Sequence, residues 1–383
     1  MTDPVALTAD LVRCPSVTPA EAGAIALLER LLGEAGFACT RISRGGVENL
    51  YARYGHGGRV FGFNGHTDVV PVGDPADWSA DPFGAAQQDG MLIGRGSVDM
   101  KSGVAAFATA AIDVAAGLDP AAGSIVLMIT GDEEGDAEDG TVAILDWMAA
   151  QGERVDFCLV GEPTSLQKLG DQVKIGRRGS MTGLLTVMGT QGHTAYPHRA
   201  ENPLPALARI CARLAATPLD QGSAHFEPST LQLTTIDVGN PASNVIPRQG
   251  RARFNIRFND LHVPEDIEAW TDAIVAAELT GSGLEAEIAW AVSGVAFLTE
   301  PQGPVENVIA AVEAATGQRP ALSTGGGTSD ARFVKDHCPV VEFGLVGRGM
   351  HAVDEQVPIG DIAALSEIYA DILRRFHGLL PAP

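Results

Sequence analysis

Histidine and carboxylate side chains stand among glycines in a series of short stretches: NGHTDVVP (64–71), GRGSVDMKSG (94–103), TGDEEGDAEDG (130–140), VGEPTS (160–165) and GLVGRGMHAVDE (344–355). Imidazole nitrogen and carboxylate oxygen are the donors of a catalytic zinc site, which keeps one position open for water. His66 and Asp68 are two residues apart, so in extended backbone both project to one side. Asp68 then either accepts the second ring N–H of His66 and fixes its tautomer, or caps a solvated turn. Asp99 precedes a helix, where it either N-caps or bridges two metal ions with its two oxygens. Glu133 and Glu134 are adjacent and diverge in extended backbone, so one can ligate while the other stays free as a general base. Two carboxylates side by side repel, and a dication relieves that repulsion. Asp132, Asp136, Glu138 and Asp139 read as a solvated acidic loop. Glu162, directly after an apolar run, is a ligand or a turn residue before Pro163. His351, beyond a glycine-rich passage, is a ligand or a structural histidine.

Such residues need rigid carriers. Apolar residues at helical spacing predict helices over 20–36, 100–116, 139–152, 306–317 and 362–380. Near-continuous apolar runs predict strands in 59–70, 123–136, 155–163 and 339–346, which suits a sheet buried on both faces. The pattern changes after about residue 180. SMTGLLTVMG, PLPALARICARLAA, TLQLTTIDVG, RARFNIRFND, PEDIEAWTDAIVAAEL and EAEIAWAVSG read in order as β-α-β-β-α-β, the ferredoxin-like arrangement. The expected division is a catalytic domain in two parts, 1–179 and 292–383, with an inserted α+β domain at 180–291.

The bulk numbers narrow the function classes. With 26 basic against 48 acidic residues the net charge is −22, which disfavours nucleic-acid binding. An anionic substrate would then need local positive charge to overcome the global field. The five cysteines are scattered and form no C-x-x-C pair, so a reducing compartment is expected. MTDPVALTADLVRCPSVTP lacks a basic stretch followed by an apolar one, and no apolar run reaches the roughly 18 residues that span a bilayer. A soluble cytoplasmic protein is expected, with neither nucleic acid nor membrane as partner.

GHTDVVP, GRGSVDMKSG, GDEEGD, GEPTS and the late M-H-x-V-D-E, taken together and in this order, resemble the M20 metallopeptidase family over nearly the whole chain. The resemblance implies an α/β catalytic domain with a mixed sheet and helices on both faces, plus the inserted ferredoxin-like dimerisation or lid domain. It implies two Zn2+ ions per subunit, with Co2+ able to replace them. Asp99 would bridge the ions, His66 and Glu162 would complete one position, and Glu134 and His351 the other. Asp68 would orient His66, Glu133 would be the general base and acid, and the Asp99–Met100 peptide would be cis. His193 would donate to the developing oxyanion from the partner subunit of a homodimer, after domain closure; otherwise it is a turn histidine against Tyr196.

Within the family, IGRRGSMTGLLTVMGTQGHTAYPH (175–198), ENPLPAL, NVIP, RFNIRFN and TGGGTSDARF (324–333) are most similar to members that hydrolyse N-succinyl-LL-2,6-diaminopimelate. Arg178 suits bidentate capture of a substrate carboxylate, and Asn244, Arg257, Gly327 and Thr328 are further candidates from matching stretches. Arg177 is expected at the surface, and Arg257 alternates with Arg251 and Arg253 as on a solvated sheet face. Where other members carry asparagine, VGRGM has glycine and arginine, so no contact is assigned to Gly347. Acetylornithine deacetylase, aminoacylase and carboxypeptidase chemistry are the alternatives within the family, and a non-catalytic metal-binding scaffold is the alternative outside it.

Overall fold

The structure is a computed structural model that describes residues 2–380. In chain order the strands of three residues or more are β1 (Ala38–Arg44), β2 (Val47–Tyr54), β3 (Arg59–His66), β4 (Ala86–Gln88), β5 (Met91–Ile93), β6 (Gly123–Thr130), β7 (Phe157–Val160), β8 (Gln172–Lys174), β9 (Gly179–Met188), β10 (Thr230–Asp237), β11 (Gln249–Phe258), β12 (Glu285–Gly294), β13 (Ala321–Ser323), β14 (Val340–Glu342) and β15 (Gln356–Pro358). The longer helices are α1 (Pro4–Val12), α2 (Ala24–Glu34), α3 (Lys101–Ala115), α4 (Thr141–Gln151), α5 (Leu204–Ala216), α6 (Pro264–Leu279), α7 (Pro304–Thr316) and α8 (Ile359–Phe376).

Among the described residues, one compact unit comprises 2–175, Thr299–Ser323 and 329–380. Its sheet runs β1-β2-β6-β3-β7-β14-β8-β13. The four central strands β6, β3, β7 and β14 are mutually parallel, whereas β1 and β2 add on antiparallel, so the sheet is mixed. The parallel strands are buried along nearly their whole length and largely apolar, as a sheet covered on both faces requires. On one face Phe63 stacks on Phe107 of α3 with ring centroids 4.1 Å apart and meets Tyr369 of α8 edge-on. On the other face Asn64 donates to Thr141 of α4 at 2.9 Å.

Parallelism has a consequence for function. The carboxyl ends of β6, β3, β7 and β14 lie side by side, and loops leaving such ends converge on one crevice. His66 ends β3, Glu133 and Glu134 follow β6, Glu162 follows β7, and His351 lies beyond β14.

Several elements lie outside those expected from sequence. The β1–β2 hairpin turns at Gly45 and Gly46, both at positive φ (56° and 89°), the pattern of a two-residue hairpin. A small antiparallel sheet, β15-β5-β4, joins the segment after His351 to the one before Asp99. Its three-residue strands are too short to show a period.

The second unit comprises Gly176–Leu298 with Thr324–Thr328. It is wider than 180–291 because Phe297 and Leu298 pair with Arg177 and Gly176. Its antiparallel sheet has the order β10-β11-β9-β12, and with α5 and α6 gives the β-α-β-β-α-β order of a ferredoxin-like unit. Residues along β11 alternate, so Phe254, Ile256 and Phe258 reach a core with Leu207, Ile210, Ile267 and Ile274 of the two helices. No helix among the described residues is long and apolar enough to cross a membrane.

Candidate metal centre

The five proposed ligands belong to the first unit and converge. The Nε2 of His66 lies 3.1 Å from Asp99 Oδ1 and 3.8 Å from Glu162 Oε1. The Nε2 of His351 lies 2.9 Å from Glu134 Oε1 and 3.5 Å from Asp99 Oδ2. Asp99 therefore turns one oxygen to each histidine, the disposition of a carboxylate shared by two cations. Glu133 Oε2 stands 4.0 Å from His66 Nε2. The Asp99–Met100 peptide is cis.

The donor set fits metal. The Nδ1 of His66 is 2.9 Å from the carbonyl oxygen of Asp68, which can only accept, so Nδ1 carries the hydrogen. The Nε2 lone pair then faces carboxylate oxygens, an arrangement that calls for a cation between them. Two donors on one tetrahedral zinc, each about 2.1 Å from it, stand about 3.4 Å apart, within the spread seen here. His66, Asp99 and Glu134 form one group whose donor atoms all lie within 4.8 Å, and His66, Glu133 and Glu162 form another.

The electrostatics carry the same message. Burial pushes the Glu133 carboxyl well up, and the charge of Glu162 adds to this. Burial also raises Glu134. His66 is raised well above the usual imidazole value although burial opposes this, because Asp99 and its neighbouring acids favour the imidazolium. His351 is pushed up to about 9, chiefly by its hydrogen bond with Asp99. Where carboxylates crowd until they retain protons and imidazoles are held charged, two dications satisfy the same groups without protons.

Asp68 departs from its expected part. Its main-chain carbonyl, not its carboxylate, takes the His66 ring N–H; the carboxylate stands 3.6 Å from Nδ1. Its oxygens instead accept the main-chain N–H groups of Glu133 at 3.3 Å and Glu134 at 3.0 Å. Fully buried Asp68 thus ties the acidic loop to the His66 loop.

Close backbone approach brings Asp99 and Glu162 together. A Cβ on Gly103 would stand 2.6 Å from the carbonyl oxygen of Gly161, and a Cβ on Gly161 would stand 2.5 Å from the Phe63 ring. Gly103→Ala is therefore expected to lower stability by about 1–3 kcal/mol through overpacking and to weaken metal retention. Denaturant unfolding and metal analysis check both, and an unchanged midpoint with full metal content would refute the packing argument.

The remaining candidates belong to the inserted unit. His193 lies exposed on the Gly192–His193 strand pair, its Nδ1 accepting the N–H of Ala195 at 3.0 Å and its ring 5.7 Å from that of Tyr196. Asn244 lies beside it, its carbonyl accepting the N–H of Thr194 at 3.1 Å. Arg257 sits deeper than Arg251 and Arg253, which are exposed. Burial holds its guanidinium below the usual value, helped by Arg178 and Arg177. Arg178 Nε and one terminal nitrogen of Arg257 are buried without a hydrogen-bond partner among the described residues. Arg177 is not at the surface: it is buried, and donates to the carbonyl of Gly327 at 2.6 Å, next to Thr328. Cationic donors thus gather at Arg177, Arg178 and Arg257, the local positive charge that an anionic substrate of an acidic protein requires.

Asp330, Arg95 and Glu355 were not foreseen. Asp330 is buried and its carboxyl is raised to about 6 by burial. It belongs to the TGGGTSDARF stretch, and Glu355 to the M-H-x-V-D-E stretch, but neither sits at a spacing that marks a role.

Residues 62–375 match the family described as peptidase family M20/M25/M40. The chain is 61% identical over 378 residues to the succinyl-diaminopimelate desuccinylase of Dinoroseobacter shibae, covering 98% of this chain and 100% of that protein. It is 60% identical over 376 residues to the succinyl-diaminopimelate desuccinylase of Ruegeria pomeroyi, covering 98% and 99%. Among solved structures, aminopeptidase PepT from Bacillus cereus superposes with a TM-score of 0.78 at 20% identity, covering 97% of each chain. The Bacillus subtilis YXEP protein, described as a dinuclear metal binding peptidase from the M20 family, superposes with a TM-score of 0.73 at 16% identity, covering 99% of this chain and 98% of that one. The match over 62–375, with relatives about as long and 60% identical, makes this chain a member of the M20/M25/M40 peptidase family.

Proposed function

We propose that this chain is a two-metal amidohydrolase that cleaves N-succinyl-LL-2,6-diaminopimelate with water to succinate and LL-2,6-diaminopimelate, a step of lysine and diaminopimelate biosynthesis. The observation that carries the two-metal reading is Asp99, whose two oxygens face two different histidines. The substrate rests on relatives about 60% identical that bear the desuccinylase name.

His66 and Glu162 would hold one ion, Glu134 and His351 the other, with Asp99 shared between them. Zinc is the proposed metal, with cobalt as a substitute; mixed nitrogen and oxygen donors suit both. When bound, the ions lower the pKa of a water towards neutrality and offset the charge that develops on the amide oxygen. Glu133 is the base: it takes a proton from the attacking water as the oxygen adds to the amide carbonyl carbon. It then passes that proton to the departing nitrogen as the C–N bond breaks. Burial and neighbouring acids raise the affinity of Glu133 for a proton, as this exchange requires. Arg178 and Arg257 hold substrate carboxylates, and Asn244, Gly327 and Thr328 are the further proposed substrate contacts.

His193 is proposed as a donor to the amide oxygen, supplied across a homodimer built on the inserted unit. Supporting the dimer, β10 is an edge strand with Ile236 56% exposed and Val238 36% exposed just beyond it. Sedimentation equilibrium tests it, and a monomer at working concentration overturns it. The cysteines are all unpaired, which supports a reducing, cytoplasmic location.

The test of substrate is turnover of N-succinyl-LL-2,6-diaminopimelate beside N-acetylornithine with the zinc-loaded protein. The succinylated compound is expected to have the higher kcat/KM. Faster release from acetylornithine would replace this substrate by the runner-up within the family.

A further inference from the structure

The metal ligands are reached from outside by a buried ion pair that the catalytic steps do not use. Arg95 is 2% exposed and Glu355 1% exposed. Arg95 Nη1 donates to Glu355 Oε2 at 2.6 Å. Glu355 Oε1 accepts two main-chain N–H groups, that of Val98 at 2.8 Å and that of Asp99 at 3.1 Å. Arg95 Nη2 donates to the main-chain carbonyl of His351 at 3.2 Å, and the guanidinium lies 5.2 Å from the centre of the Trp78 ring. One pair therefore grips the backbone of two ligands, Asp99 from the carboxylate side and His351 from the guanidinium side.

The backbone shows why a grip is needed. His351 has φ 62° and Asp354 φ 57°, a left-handed conformation that residues with a Cβ leave unless held. The loop is held at its end. Asp354 Oδ1 accepts the N–H and hydroxyl of Ser79 at 2.7 and 2.9 Å, and the Glu355 carbonyl accepts the N–H of Gly94 at 2.9 Å. Pairing of β15 with β5, Gln356 opposite Ile93, sets Glu355 beside Arg95. The other three ligands are placed by other means, Glu134 by its main-chain N–H on the Asp68 carboxylate. His66 is fixed by the end of β3 and the Asp68 carbonyl, and Glu162 directly follows β7.

We propose that the Arg95–Glu355 pair is a positioning clamp: it fixes Asp99 and His351 relative to each other, and so sets the affinity of the metal position that takes both of them with Glu134, while the His66–Glu162 position, which takes only the bridging Asp99 of the two, is left largely to the sheet. The inference rests on the two-metal reading above. Its chemistry is geometric. A fork of fixed N–H groups is needed to meet a carboxylate and a carbonyl together, which a lysine ammonium on a flexible stem cannot do.

The test is titration of metal-free protein with cobalt, read by visible absorption and by calorimetry, in the wild type, Arg95→Lys and the paired variant Arg95→Met with Glu355→Leu. Breaking one half of a buried pair can unfold a protein, whereas replacing both by apolar residues often does not, so the paired variant keeps the test open if the single one fails to fold. Wild type is expected to take two ions per chain. Both variants are expected to bind one ion as wild type does and the other about 10–100-fold more weakly, as for loss of a residue that supports a ligand. With a full complement of ions kcat should recover while KM stays unchanged, a split that general loosening would not produce. Two ions bound with wild-type affinities in the paired variant, or both weakened alike, would overturn the clamp. Fewer than two ions in the wild type would instead overturn the two-metal reading, and the clamp with it.

Discussion

Glu133→Ala is expected to lower kcat by about 10²–10⁴-fold, the range of a lost general base, while the protein still binds two ions per chain. The geometry separates these outcomes. Glu133 Oε2 is 4.0 Å from His66 Nε2, farther than the Asp99 or Glu162 oxygens, so its loss leaves the nearer donors in place. Its main-chain N–H still binds Asp68 after the side chain is cut, so the loop that presents Glu134 keeps its anchor. Glu133→Gln is the companion variant. It keeps size and polarity but cannot accept the proton, so it should match the alanine variant in rate. Steady-state kinetics with metal analysis of the same samples decides. Near-normal turnover refutes the base assignment. Loss of one ion together with activity would make Glu133 a ligand, which its place in a group with His66 and Glu162 keeps as a sharp alternative.

How much of this was legible in the sequence depends on where a residue's meaning resides. The parallel strands announced themselves because they are apolar on both faces, whereas the ligand set was implied by the resemblance to the M20 family, each of its residues alone having an ordinary reading as a cap, turn or structural residue. The inserted unit was legible because β11 alternates strictly between core and solvent. The β1–β2 hairpin carried a signal in Gly45–Gly46 that went unread. Arg95 and Glu355 carried none. A buried arginine and a buried glutamate 260 residues apart look like surface charges until the pairing of β15 with β5 brings them together. The same holds for Asp68, whose type suggested a carboxylate–histidine contact. Its backbone took that contact, because two unpaired N–H groups of the next loop claimed the carboxylate. Long-range backbone partners have no local pattern in sequence.

Chelation of the metals is expected to abolish turnover and to lower Tm, by an amount that grows with pH. At free metal one hundred times Kd, each ion that binds only the folded state stabilises it by about 2.7 kcal/mol. The pH dependence follows from the protons the ions displace. His351 is raised from 6.5 to about 9 in the metal-free fold. A group raised in this way stabilises the fold fully below its unfolded value and ceases to do so as pH rises through its folded value. His66, Glu133 and Glu134 are raised too, so they act in the same direction. Asp99 is lowered by His351 and His66 against the opposing effect of burial, so its contribution is lost only in acid and is constant over the range tested. The metal-free protein should therefore lose stability from pH 6.5 to pH 9, the window set by His351. In the loaded protein the ions take the place of those protons, so its Tm should change little over that window and the gap between the two forms should widen. Thermal unfolding with and without chelator across this range is the measurement. A gap that stays constant or narrows would mean that the cluster does not exchange protons for metal, and the site would lose its electrostatic rationale.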